Sequence, residues 1–210
     1  TNGTEVLIYD DENQLVTNYV SGSWKSEFVY DGRMRRRIQR DYMWNVGTWL
    51  KTNEVRLGYD GNVVLQHRDR YNSPTLTLTR GRDLSGALHG AGGIGGLLAM
   101  TEQSGAHSFY HSDGNGNITC LISTNQLIVA KAQYDPFGNF LSLTGPKAPV
   151  NFYWFSSKPI HRQSSKYDFL YRWYAPGTQR WHGRDGAGEL GGLNLYAYAH
   201  NSPIDLFDPL

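Results

Sequence analysis

Apolar and polar positions alternate in short runs along most of the chain. In Thr75-Leu76-Thr77-Leu78-Thr79 the leucines fall on one face and the threonines on the other, the period-two pattern of a half-buried strand. Val63-Val64-Leu65-Gln66-His67-Arg68 and Leu127-Ile128-Val129-Ala130 are β-branched or apolar runs of strand length. Nothing before Pro149 sustains a helical period. Turn signals separate the runs, and they recur as Tyr-Asp: Tyr9-Asp10, Tyr30-Asp31, Tyr59-Asp60 and Tyr134-Asp135, with a degenerate copy in Tyr110-His111-Ser112-Asp113. Each tyrosine ends an extended run, an acid follows, and Gly or Asn comes soon after. In Asp135-Pro136-Phe137-Gly138 the acid accepts hydrogen bonds from the turn backbone, Pro136 presets φ, and Gly138 suits the fourth position. Asp113-Gly114-Asn115-Gly116 and Asp60-Gly61-Asn62 read the same way. A spacing of roughly twenty to thirty residues is that of a repeat architecture. The expected fold is all-β, a run of antiparallel hairpins over most of residues 5–145.

The pattern changes around Gly145-Pro146-Lys147-Ala148-Pro149. Aromatics then cluster: Phe152 to Phe155, Tyr171, Trp173, Tyr174 and Trp181. Leu190 to His200 predicts one short helix, stopped by Asn201-Ser202-Pro203. The chain therefore divides into a hairpin-repeat segment, 1–149, and a mostly irregular aromatic plug, 150–210. Thr1 begins in mid-pattern, so the chain reads as a segment of a longer polypeptide.

Composition narrows the function. With 24 Gly, 14 Tyr and 6 Trp but only 39% hydrophobic residues, the chain suits short strands and frequent turns rather than a helical bundle. A formal net charge of +1 with interspersed signs offers no field for a phosphate backbone, which argues against nucleic acid as a partner. No stretch is long and apolar enough to span a membrane as a helix. Cys120, in a strand-like run, is expected to be a buried small hydrophobe; as the single cysteine it forms no internal disulfide. Gly90-x-Gly92-x-x-Gly95 matches a dinucleotide fingerprint only in letters, because no βαβ unit or ribose-binding acid follows. It reads as a glycine-rich turn, and no cofactor is implied. His67-Arg68-Asp69 reads as strand, and the histidines have no metal-ligand spacing.

Several segments together resemble the RHS/YD-repeat family. They are Asp83-Leu84-Ser85-Gly86 with Gly90 to Leu98, Tyr110 to Thr119, Tyr134 to Gly145, Phe155-Ser156-Ser157-Lys158-Pro159, Tyr171 to Pro176, Gln179-Arg180-Trp181, Gly183-Arg184-Asp185, Gly191 to Tyr196, Asn201-Ser202-Pro203 and the ending Asp208-Pro209-Leu210. The resemblance covers nearly the whole chain in the family's order. It implies a β-ribbon wound into part of a hollow shell, closed by the RHS-associated core. Shells of this kind enclose a C-terminal toxin or effector in bacterial polymorphic toxins and insecticidal Tc complexes, and a related shell occurs in animal teneurins. The implied partners are the rest of the same shell and a C-terminal effector, with secretion machinery or cell-surface receptors as further candidates. The implied setting is bacterial and secreted, exported or at the cell surface.

In many members the core is an aspartyl autoprotease. Carried over by position, the catalytic candidates are Asp185 and Asp208, two acids that would share a proton, with Arg184 to orient an acid or stabilise the oxyanion. The sequence departs from the family pattern at Gly186, where Pro is usual. It also stops at Leu210, before the expected cut, so the fragment itself is expected to be inactive. The alternative is a non-catalytic adhesion or carbohydrate-binding scaffold. That reading requires Trp154, Trp173 and Trp181 to form an exposed row, whereas a shell requires them covered.

Overall fold

The structure, a computed structural model, describes residues 4–208. The first compact unit carries β1 (Glu5–Tyr9), β2 (Leu15–Val20), β3 (Trp24–Tyr30), β4 (Arg36–Asn45), β5 (Thr48–Asp60), most of β6 (Val63–Arg68) and the start of β7 (Pro74–Arg80). The second carries the end of β7, then β8 (Leu97–Glu102), β9 (His107–Ser112), β10 (Ile118–Ser123), β11 (Ile128–Tyr134) and β12 (Phe140–Thr144). It also holds a small sheet of β13 (Ile160–His161), β14 (Lys166–Asp168), β15 (Trp173–Ala175) and β16 (Arg180–Trp181). The twelve longer strands pair antiparallel in chain order, and neither sheet closes. This is the expected all-β hairpin series.

One turn is reused along the chain. It opens at Asp10, Asp31, Asp69, Asp83, Glu102, Asp113, Ser123 and Asp135. In each case the opening N–H donates to the carbonyl four residues on, at 2.7–3.0 Å. The fourth residue's N–H donates back to the opening carbonyl, at 2.8–3.1 Å. That fourth residue lies in the left-handed region in every copy, with φ between 61 and 89°. A type I turn followed by a left-handed residue makes a three-residue hairpin loop with a bulge, and the pairing register slips at Tyr9, Tyr30 and Tyr134 beside such loops. The acid works as expected: Oδ1 of Asp10, Asp31, Asp69, Asp113 and Asp135 accepts from the N–H groups two and four residues on. Gly138 closes the turn that Asp135 begins. Asp60 differs, because Gly61 and Asn62 alone link β5 to β6. His67-Arg68-Asp69 is strand only to Arg68, and Asp69 opens a turn of the same kind.

The tyrosines add a second layer. The hydroxyls of Tyr30, Tyr59 and Tyr134 donate to the carbonyls of Leu15, Arg36 and Ile118, at 2.9, 2.8 and 2.6 Å. These three tyrosines therefore tie their strands to earlier ones, and at Tyr30 and Tyr134 the following acid also shapes the turn.

In the second unit Phe155 lies among the rings of Tyr134, Tyr167, Tyr174 and Tyr198, with centroids 5.8–6.1 Å apart. It belongs to a 3-10 turn, Phe155–Ser157, whose two serines adopt left-handed φ of 51 and 54°. Such backbone costs about 1–2 kcal/mol per residue. It persists because hydrogen bonds hold the turn: Ser156 N–H donates to Asn117 Oδ1, Ser157 Oγ donates to Gly116 O, and Gly95 N–H donates to Ser157 Oγ. Gly116 must be glycine, since a Cβ there would lie 2.5 Å from Ile94 Cγ2 and 2.7 Å from Gly95 N.

Two expectations are corrected. No helix spans 190–200; only 3-10 turns form, at Gly188–Gly191 and Ala199–Asn201. The backbone between them pairs outward instead. Tyr196 O accepts from Trp181 N–H, Leu195 O accepts from Asp185 N–H, and Ala197 bridges to Arg180. Those carbonyls are then not available to close helical turns. Cys120 is only half-buried, because strand alternation turns its neighbour Leu121 inward instead.

The buried tyrosines predict the alkaline behaviour. Burial raises the hydroxyl pKa values of Tyr110, Tyr134, Tyr167, Tyr174 and Tyr198 above the ordinary value of 10. The stability they contribute is present below about pH 10 and lost above it, where the unfolded chain releases protons that the folded chain keeps. The tyrosinate absorbance of these five residues should appear together with loss of near-UV circular dichroism. Smooth ionisation of all tyrosines with the fold intact would contradict this.

Candidate active site

Arg172 sits between β14 and β15, its side chain 9% exposed. Its chain direction is set by a tight reversal: Phe169 N–H donates to Arg172 O, and Leu170 takes a left-handed φ of 79°. The guanidinium lies 4.1 Å from the centroid of the Trp181 ring. Trp181 is itself fixed by Phe169, Tyr174 and Tyr198, at 5.0–5.5 Å. A planar cation stacked on an enclosed ring loses little freedom when it binds, which suits it to hold acids in place.

Two acids reach it. Nη1 donates to Asp185 Oδ2 at 2.8 Å, and Nη2 to Asp208 Oδ1 and Oδ2 at 3.3 and 3.4 Å. Asp185 opens a turn of its own, with Gly188 N–H on its carbonyl and Ala187 N–H on Oδ1, which leaves Oδ2 for Arg172. Asp208 returns through the reversal at Ser202, whose carbonyl accepts from Asp205 and Leu206 N–H. Asn115 Nδ2 then holds Ile204 O at 3.0 Å. The two acids named from the sequence thus meet on opposite arms of one guanidinium.

Arg184 does not join them. Its Nε donates to the Tyr196 hydroxyl at 3.2 Å, at the surface. Adjacency in sequence pointed to Arg184, whereas the small sheet supplies Arg172. The only sequence signal for Arg172 is its place between Tyr171 and Trp173 in the aromatic run, which by itself marks no site. A guanidinium between two carboxylates offsets their repulsion, so proximity does not by itself require a shared proton. Trp154, Trp173 and Trp181 are all buried, at 0, 6 and 2% exposure.

No family model matches the chain. Among curated proteins it is similar to mouse (Mus musculus) teneurin-3, 28% identical over 96% of the chain. It is likewise similar to the tRNA3(Ser)-specific nuclease WapA of Bacillus spizizenii, 26% identical over the whole chain. It spans only 7% and 8% of those relatives' lengths. Among solved structures, the TcdB2–TccC3–TEV crystal structure superposes with a TM-score of 0.73 at 19% identity, over 98% of this chain and 10% of that one. These relatives are RHS/YD-repeat proteins, and the chain is similar to them over nearly its whole length. In this chain the recurring unit is an acid-shaped hairpin loop, and at Tyr30 and Tyr134 the tyrosine before the acid is tied to an earlier strand. The solved-structure likeness carries the fold; the acid pair rests on the geometry of this chain.

Proposed function

We propose that the chain is part of an encapsulating RHS shell of a bacterial, exported toxin-like protein. Residues 1–149 contribute wall, and residues 150–210 form the core region that releases a C-terminal effector by cutting the chain beyond Leu210. The observation that carries this reading is the convergence of Asp185 and Asp208, distant in sequence, on Arg172. In the reaction, water attacks the scissile carbonyl. One carboxylate takes a proton from the water, and the other, protonated, donates to the carbonyl oxygen; the C–N bond then breaks and the amine leaves with a proton. Arg172 orients the acids and balances the charge that passes between them. Arg184 stays at the rim with Tyr196. The buried state of Trp154, Trp173 and Trp181 gives no support to a sugar-binding row.

The test is the full-length protein with Asp185→Asn or Asp208→Asn. Asparagine keeps the shape and removes the acid. Each variant should fold and remain uncut on a denaturing gel; complete cleavage in either refutes the assignment.

A further inference from the structure

Three consecutive residues of the β9–β10 loop each hold a different part of the C-terminal region. Asn115 Nδ2 donates to Ile204 O at 3.0 Å and to Pro203 O at 3.4 Å. Gly116 O accepts from Ser157 Oγ at 2.7 Å, and Asn117 Oδ1 accepts from Ser156 N–H at 2.8 Å. Asp113 sets the loop itself: its Oδ1 accepts from the N–H groups of Asn115 and Asn117, and its Oδ2 from Asn117 Nδ2. Gly116 and Asn117 therefore fix the loop against the Phe155–Ser157 turn, and Asn115 presents its amide from that fixed base.

The segment that Asn115 holds is the strap from Ser202 to Asp208. Burial does not place it, because Ile204, Asp205, Leu206 and Phe207 are all exposed. Its first turn is internal: Ser202 O accepts from Asp205 and Leu206 N–H, and Ser202 Oγ donates to Asp205 Oδ2. Asn115 grips the strap at Pro203 and Ile204, and Arg172 grips it at Asp208. Turn chemistry does not require asparagine at 115. The same position of the equivalent loops carries residues as different as Glu12, Arg33, Tyr71 and Phe137.

We propose that Asn115 is a positioning residue of the acid site: it anchors the strap so that Asp208 reaches Arg172, and it ties assembly of the acid pair to the folded β9–β10 hairpin. This inference rests on the self-cleavage reading. An amide suits the task because its nitrogen carries two donor hydrogens for two carbonyls. A carboxylate in the same place has no proton to give and repels both oxygens until it is protonated. Asp113, which bonds the Asn115 N–H, and Asp205, next to Ile204, are the neighbouring acids. Their charge moves that protonation upward from the ordinary value of about 3.9.

The experiment follows self-cleavage of the full-length protein between about pH 3 and 7. It compares the unaltered protein with Asn115→Asp, Asn115→Gln, Asn125→Asp and Asp208→Asn. Asn125 has the same place in the β10–β11 loop and serves as control. Asn115→Asp should cut slower by about ten- to a hundredfold at neutral pH, the effect of a misplaced reacting group. Its rate relative to the unaltered protein should return towards one as the introduced carboxyl is protonated. Asn115→Gln keeps the donor and should keep most of the rate, and Asn125→Asp should behave as the unaltered protein. Three results overturn the role of Asn115 and, while Asp208→Asn stays uncut, leave the cleavage reading standing: normal cleavage of Asn115→Asp at neutral pH, a deficit that does not change with pH, or an equal deficit in Asn125→Asp. Cleavage of Asp208→Asn, or none in the unaltered protein, overturns both. Should Asn115→Asp fail to fold, Asn115→Ala takes its place, and equal rates in the alanine and glutamine variants overturn the proposal.

Discussion

Gly138→Ala is expected to destabilise the second unit by about 2–5 kcal/mol, approaching the cost of deleting a core aromatic. Two effects add. Gly138 has φ of +89°, where an L side chain costs about 1–2 kcal/mol. A Cβ there would also lie 2.6–2.8 Å from three carbons of the Phe155 ring. Phe155 cannot retreat, because Tyr134, Tyr167, Tyr174 and Tyr198 surround it, and forced overpacking costs about 1–3 kcal/mol. Gly47 supplies the control: it has the same φ of +89° but nothing within 4 Å of an added Cβ. Gly47→Ala should show the backbone cost alone, about 1–2 kcal/mol. Hydrogen exchange of the β10–β12 amides for Gly138→Ala, and of the β4–β5 amides for Gly47→Ala, reads the two effects. Equal effects at the two glycines would mean that the contact with Phe155 is unimportant.

Arg172→Met is expected to stop self-cleavage of the full-length protein, a loss of about a hundredfold or more, comparable with removal of one oxyanion donor. Methionine preserves much of the packing on Trp181 but removes both arms that hold the acids. Asp185 and Asp208 then lose their common cation. Their side chains are 26% and 20% exposed, so solvent screens part of the penalty, and the stability loss should be about 1–3 kcal/mol. Arg172→Lys should not rescue cleavage, because one ammonium cannot present two parallel donors to two carboxylates. Cleavage at the normal rate in the methionine variant would remove Arg172 from the mechanism. Retained cleavage in the lysine variant would show that charge matters there and the fork does not.

The hairpin series could be read directly from the sequence because its determinants are local. Period-two alternation marks the strands. An acid that satisfies N–H groups two and four residues ahead, with Gly or Asn left-handed at the fourth position, marks most of the turns. Asp69, Glu102 and Ser123 open equivalent loops that were not singled out, because Asn72 and Gln126 are weaker left-handed signals than glycine and Glu102 is not the expected acid. Asp185 and Asp208 were legible from the ordered motifs around them. Tertiary structure decided the rest. The 190–200 stretch has helical spacing, yet its carbonyls pair with Asp185 and with β16, and Leu190 and Leu193 are left exposed with no core to bury them. The identity of the shared cation depended on the reversal at Leu170, which places Arg172 over Trp181 and within reach of both acids, while Arg184, next to Asp185 in sequence, faces Tyr196. Lys158 lies in the motif Phe155-Ser156-Ser157-Lys158-Pro159, but nothing local in it marks the lysine as buried. Its burial against Phe169 and the Gly92 carbonyl exists only once the glycine-rich loop and the Phe155–Ser157 turn have packed together, since contacts between groups far apart in the chain are set by packing and leave no period in the sequence.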